Sequence, residues 1–199
     1  MADDKKGRDK QARDAEKRQR KREIAAELER GDEPEPPIDP ADLADFERAL
    51  ESLEFPVTGA EVVAAVGDHE LESPAEVYTV DELVPDAGAE TFDSPAEVRT
   101  RVQRPTIAAA MKRVVEASDT LPNATLAGSR KNGYEKTFRE LKAVDADDDD
   151  EGIPAIRDWI VAYIDDKGKL PGSRAVRREA AKFCRQNGYQ VRNSEWLGI

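Results

Sequence analysis

Apolar residues recur at helical spacing along most of the chain, and their stripes define its elements. Leu43, Phe46, Leu50 and Leu53 share one face of a helix. Asp39-Pro40 marks its start, with aspartate as N-cap and proline at the first helical position. Phe55-Pro56-Val57 breaks that helix, and Thr58-Gly59-Ala60-Glu61 opens another as a capping box, followed by Val62, Val63 and Val66. Arg104-Pro105 starts a further helix, striped by Ile107, Met111, Val114 and Val115 as a core face. Phe138 and Leu141 belong to a short helix from Tyr134 to Val144. Ile153, Ile156, Ile160 and Ile164, flanked by Trp159 and Tyr163, form an amphipathic helix beginning around Pro154. After the turn Lys167 to Gly172, Ser173 caps a last helix with Val176, Ala180, Phe183, Cys184 and Asn187 on one side.

Between these stripes, Ser-Pro-Ala-Glu-Val occurs twice, at Ser73 and at Ser94, 21 residues apart. Each copy has the residues of a helix start, with serine as N-cap, proline at N1 and glutamate at N3. The flanking residues match poorly, so reuse of a good cap is the better reading than a duplicated unit. Short extended pieces, His69 to Leu71 and Glu90 to Phe92, precede the two copies as brief strands. Leu121 to Gly133 has the composition of a loop, and Gly188 to Val191 with Trp196-Leu197 folds back on the last helix pair as a strand and an aromatic plug. The expected fold is mainly α with a few short strands. Its parts are a charged helical or disordered arm and linker (1–40), an acidic helical domain (41–120), a loop, short helix and acidic linker (121–152), and a C-terminal helix-turn-helix-like segment (153–199).

Charge sharpens this layout. The 199 residues carry 43 acidic and 31 basic side chains, net −12. Lys5 to Arg22 holds 10 basic residues against 3 acidic, whereas Gly31 to Thr100 holds 2 against 20. The basic arm has almost no apolar face before Ile24, so it gains nothing by burial. It suits contact with nucleic acid or an acidic surface, or simple solvation. Arg101 to Val144 returns to net +5, Asp145 to Gly152 is an acidic run of −6, and Ile153 to Ile199 is net +4. The run Asp147 to Glu151 lacks the alternating ligands and internal glycine of an EF-hand, and is expected to be a solvated linker.

No apolar run approaches the roughly 18 residues that span a bilayer, and the charged first 22 residues do not form a secretory signal. The expectation is a soluble cytoplasmic protein with no membrane contact. Cys184 and His69 are single, which excludes an internal disulfide and a one-chain Cys/His zinc site. No Gly-rich phosphate loop, nucleophile elbow or histidine-paired nucleophile is present, so no cofactor and no enzymatic activity are expected.

The run Phe55-Pro56-Val57-Thr58 through Val84-Pro85-Asp86, with Phe92-Asp93-Ser94-Pro95-Ala96-Glu97-Val98, resembles a small domain-of-unknown-function family of haloarchaea and high-GC bacteria. The acidic section Ala41 to Ser118 resembles uncharacterised haloarchaeal proteins as a whole, as does the acidic, lysine-poor composition. The resemblance implies a compact helical fold and brings no activity or functional residues with it.

Candidate chemistry gathers on the last helix. At about 100° per residue, Arg174, Arg177, Arg178, Lys182 and Arg185 fall largely opposite its apolar side. Helix, glycine-containing turn and basic second helix is the layout of a helix-turn-helix, whose second helix enters the major groove. The turn is longer than that motif's usual three to four residues, and the basic face equally suits docking onto the chain's own acidic section or onto an acidic partner. Ser129-Arg130-Lys131 has the residues for a phosphate contact but is expected to be an exposed loop. Cys184 lies on the apolar side and is expected to be a small core residue. Two function classes remain open: a nucleic-acid-associated accessory or regulatory protein (DNA or RNA) using the basic C-terminal helix, and an adaptor whose acidic domain docks a basic protein.

Overall fold

Thr58 shows how closely local chemistry sets the elements. In the computed structural model its hydroxyl accepts from the Glu61 amide, while the Glu61 carboxylate accepts from the Thr58 amide at 2.7 Å. This closed capping box starts α2 where the sequence places it. Two Thr58 donors hold the exposed Glu61 carboxyl below its ordinary range, the amide first and then the hydroxyl, which donates to Glu61 Oε2 at 2.8 Å. The structure describes residues 37–39, 41, 43–73, 76–88, 90–122, 126, 128–144 and 151–189. The charged arm, the run 145–150 and the segment 190–199, including the expected strand and plug residues beyond Tyr189, lie outside them.

Among the described residues there are eight helices and four short strands, so the fold is mainly α. The elements run α1 (Ala44–Leu50), β1 (Val57–Thr58), α2 (Gly59–Val66), β2 (Glu70–Glu72), β3 (Val77–Thr79), α3 (Val80–Leu83), β4 (Thr91–Phe92) and α4 (Pro95–Val102). Then follow α5 (Pro105–Asp119), α6 (Gly128–Val144), α7 (Gly152–Lys167) and α8 (Ser173–Gln186). All belong to the unit Pro37–Ile199. β1 pairs antiparallel with β4, and β2 with β3.

Two apolar clusters hold these elements. The first gathers Leu43, Phe46, Leu50, Val62, Leu71, Val80, Leu83, Phe92, Val98 and Val102. The second joins Ile107, Met111 and Val114 to Tyr134, Phe138, Leu141, the four isoleucines of α7, and Val176, Ala180 and Cys184 of α8. Helix α5 serves both, because Ala108 faces the first cluster while Ile107, Ala110, Met111 and Val114 face the second. Each fully buried aliphatic side chain contributes about 1.5–3 kcal/mol, so the α5 stripe is a main source of cohesion.

Four elements depart from expectation. The first Ser-Pro-Ala-Glu-Val copy falls between two paired strands: Glu72 pairs with Val77, and Val77 belongs to β3, not to a helix. There Ser73 Oγ accepts from the Glu76 amide at 3.1 Å and donates to its carbonyl at 2.7 Å. The second copy does begin α4 with Pro95 at its first turn, but Ser94 makes no side-chain cap bond; Glu97 accepts instead from the Asp93 amide at 2.9 Å. Asp39 caps the Ala41 amide at 2.8 Å, yet α1 begins only at Ala44. The stretch 121–133 is not wholly loop, since α6 starts at Gly128 and turns Ser129, Arg130 and Lys131 into helix.

Two outcomes follow. Ser73→Ala, which leaves the Glu76 amide without its acceptor, lowers the unfolding free energy by about 0.5–1.5 kcal/mol, whereas Ser94→Ala leaves the urea midpoint unchanged. Equal effects would show that the two serines play one role. Glu61 titrates below the ordinary carboxylate range by NMR; its cap contributes stability above the unfolded-state value, and that contribution fades as pH falls through the lowered one. An ordinary midpoint would mean the capping box is open in solution.

Candidate nucleic-acid interface

Helix α8 is placed by what lies beneath it. Helix α7 ends at Gly168, whose φ of 60° is the left-handed conformation that closes a helix, with its amide bonded to the Ile164 carbonyl at 2.8 Å. Five residues, 168–172, then connect the two helices. Gly172 is the N-cap of α8, so Ser173 is its first helical residue and not its cap. The connection is pinned from α6: the buried Tyr134 hydroxyl donates to the Pro171 carbonyl at 2.5 Å. Burial pushes the Tyr134 phenol well above its ordinary value. In the preceding position, a Cβ on Gly133 would meet Ser173 Oγ at 2.6 Å and its Cβ at 2.9 Å, so α6 and α8 approach too closely there for a side chain.

The far end of α8 closes as firmly. Gly188 takes φ 77°, and the Tyr189 amide reaches back to the Cys184 carbonyl at 2.9 Å, the 6→1 bond of a Schellman cap. The Tyr189 ring stacks on Phe183 with centroids 6.1 Å apart. Val176, Ala180, Ala181 and Cys184 are buried. Asn187, expected on the apolar side, is exposed.

The opposite side carries the basic residues. Arg174, Arg178, Lys182 and Arg185 are exposed. At about 100° per residue they share an arc of about 80°, and at 1.5 Å per residue the row is about 16 Å long. Arg177 stands apart: it is half-buried and projects on the Cys184 side of the row. Lys182 pairs with Glu179 at 2.8 Å. Among the described residues the four arginines of α8 have no carboxylate partner. The row is therefore a fixed, solvent-facing line of cations on a helix that cannot roll about its axis.

A second charged group lies between the two clusters and went unread in the sequence. Arg101 on α4 is buried with Glu90, to which it is ion-paired, and its other terminal nitrogen donates to Glu135 of α6 at 3.2 Å. Lys131 of α6 also pairs with Glu90. Lys131 thus belongs to an internal ion network and not to the exposed basic loop expected. Among the described residues no group of three or more His, Cys, Asp or Glu side chains is placed to hold a metal ion, and no helix is long and apolar enough to cross a membrane.

Tyr134→Phe strands the buried Pro171 carbonyl, and the unfolding free energy falls by about 1–3 kcal/mol in a urea titration. An unchanged midpoint would show that another donor replaces the phenol and that Tyr134 does not hold the α7–α8 connection.

No curated protein and no solved structure matched the chain. Residues 40–114 match the profile of a family of unknown function (DUF5789), so the section from α1 into α5 is similar to that family, while α6, α7 and the basic helix α8 lie outside the matched region.

Proposed function

We propose that this protein is a non-enzymatic, nucleic-acid-associated accessory or regulatory protein that binds through α8. The observation that supports this reading is the row of Arg174, Arg178, Lys182 and Arg185, exposed along one side of a helix whose other side is locked into the core. A convex helix presenting guanidinium groups suits a groove walled by phosphates. Arginines there reach phosphate oxygens, and those at the helix start reach guanine edges. The net charge of −12 opposes indiscriminate attachment, so contact is confined to the one basic face. Composition and family resemblance are consistent with an archaeal, high-salt cytoplasm, where screening within about 3 Å at 1 M salt would leave only close contacts effective.

A second reading has its own observation. Asp45, Glu51, Glu54, Glu61, Asp68 and Glu70 are all exposed around the first cluster, an acidic surface suited to docking a basic protein. The two readings assign partners to opposite kinds of surface and are separable by mutation.

Fluorescence polarisation with labelled duplex DNA and duplex RNA tests the first. The full-length chain binds, and the variant carrying Arg174→Ala, Arg178→Ala, Lys182→Ala and Arg185→Ala binds at least tenfold more weakly. For DNA its log K versus log salt slope is shallower by about 0.9 for each phosphate that the variant leaves unneutralised. If both proteins bind alike, or neither binds at any salt concentration, α8 is not a nucleic-acid surface and the acidic face becomes the better candidate.

A further inference from the structure

Two helices pack against α8, and they differ in charge. In a helix-turn-helix the helix before the recognition helix crosses the phosphate backbone. That place in the chain belongs here to α7, which exposes Asp158, Asp165 and Asp166. Its two cations are already matched, Arg157 with Asp158 and Lys167 with Asp166, each at 2.8 Å. Helix α6 instead carries five basic residues against two acidic, and it touches the first turn of α8, where the Cβ position of Gly133 lies 2.9 Å from Ser173 Cβ. Given α8 as the nucleic-acid surface, a reading on which this step rests, the geometry points to α6, and not α7, as the helix that the phosphate backbone of a duplex crosses, with Arg130, Lys136 and Arg177 as its contacts.

The Gly133–Ser173 contact brings these three cations together. Arg130 and Lys136 stand three residues to either side of Gly133, within about 60° of its direction on α6. Arg177 follows Ser173 by four residues, within about 40° of the side that α6 touches, which is why it is half-buried while the basic row is exposed. Helix neighbours three or four apart have Cβ atoms about 5–6 Å from one another, so the three Cβ atoms lie no more than about 15 Å apart across the contact. The Tyr134 phenol, raised first by burial, is lowered next by the charge of Arg130, which places that guanidinium near the α7–α8 connection that Tyr134 pins. Among the described residues none of the three has a carboxylate partner. Like charges gathered this way repel one another, and phosphate oxygens turn the repulsion into attraction. Arg177 lies between the row and α6, so the cations form one track from Arg174 and Arg178 onto the second helix. Helix α7 presents the unpaired Asp165 instead, which repels a phosphate strand.

Fluorescence polarisation with the full-length chain and labelled duplex DNA tests the assignment. Arg130→Gln/Lys136→Gln binds about fivefold or more weakly, and its log K versus log salt slope is shallower by about 0.9 for each phosphate left unneutralised. Asp165→Asn/Asp166→Asn binds within about twofold of the wild type. Arg113→Gln removes an exposed cation of α5 and controls for charge alone. Should the α6 pair disturb folding by circular dichroism, exposed Lys136→Gln compared with Arg113→Gln gives the result, the first weakening binding and the second not. Wild-type affinity in the α6 variants beside lost binding in the fourfold α8 variant overturns the α6 assignment and leaves α8 as the nucleic-acid surface. It is equally overturned if Lys136→Gln and Arg113→Gln weaken binding alike, or if neutralising Asp165 and Asp166 tightens binding as much as the α6 pair loosens it. A wild-type chain that binds no duplex removes both.

Discussion

Ile107, Met111 and Val114 on α5 share one core with Ile153, Ile156, Ile160 and Ile164 on α7, and the rest of the C-terminal half is assembled on that contact. Burial of this kind is non-directional, but two striped helices packed at interior density leave little choice of rotation. With α7 seated, Gly168 and the five-residue connection return the chain toward α6, where the Tyr134 hydroxyl meets the Pro171 carbonyl. That contact sets the place of α8, with Val176, Ala180 and Cys184 inward. The orientation of the basic row thus depends on packing that begins three helices earlier.

The charged network beneath the α4–α5 corner is held by a different balance. Removing Arg101 and Glu90 from water is unfavourable, and their attraction offsets that only where geometry and further hydrogen bonds are good. Lys131 and Glu135 supply part of this from α6, and Arg101 Nε and Glu90 Oε2 are still without partners among the described residues. A buried pair of this sort contributes little net stability. What it does contribute is registry, because a shift of α6 by one turn would separate two ion pairs at once.

Helix periodicity made the stripes at 43–50, 107–114, 153–164 and 176–184 legible, since apolar residues three and four apart have few other uses. The first Ser-Pro-Ala-Glu-Val was misread for a physical reason. A serine hydroxyl bonded to the amide three residues on is the same local contact in a helix cap and in a tight loop, and the pairing of Glu70–Glu72 with Val77–Thr79 decides between them. The start of α6 was missed because Gly128, Asn132 and Gly133 are poor helix formers; tertiary packing overrides that propensity, and the close approach to Ser173 is possible only because Gly133 lacks a side chain. On α8, the amphipathic pattern identified all five basic positions, but not the separation of half-buried Arg177 from the exposed four. The Glu90 network joins residues 11 and 41 positions apart, a relation that no local pattern encodes.

Gly133 has a mechanical meaning as well. Helix α6 carries Lys131 and Glu135 to the Glu90 and Arg101 network and, between them, presses bare backbone against Ser173 at the root of α8. What faces Gly133 across this joint is the Ser173 side chain, through its Oγ and Cβ. A larger residue at position 133 would have to displace Ser173, and with it the first turn from which the basic row rises.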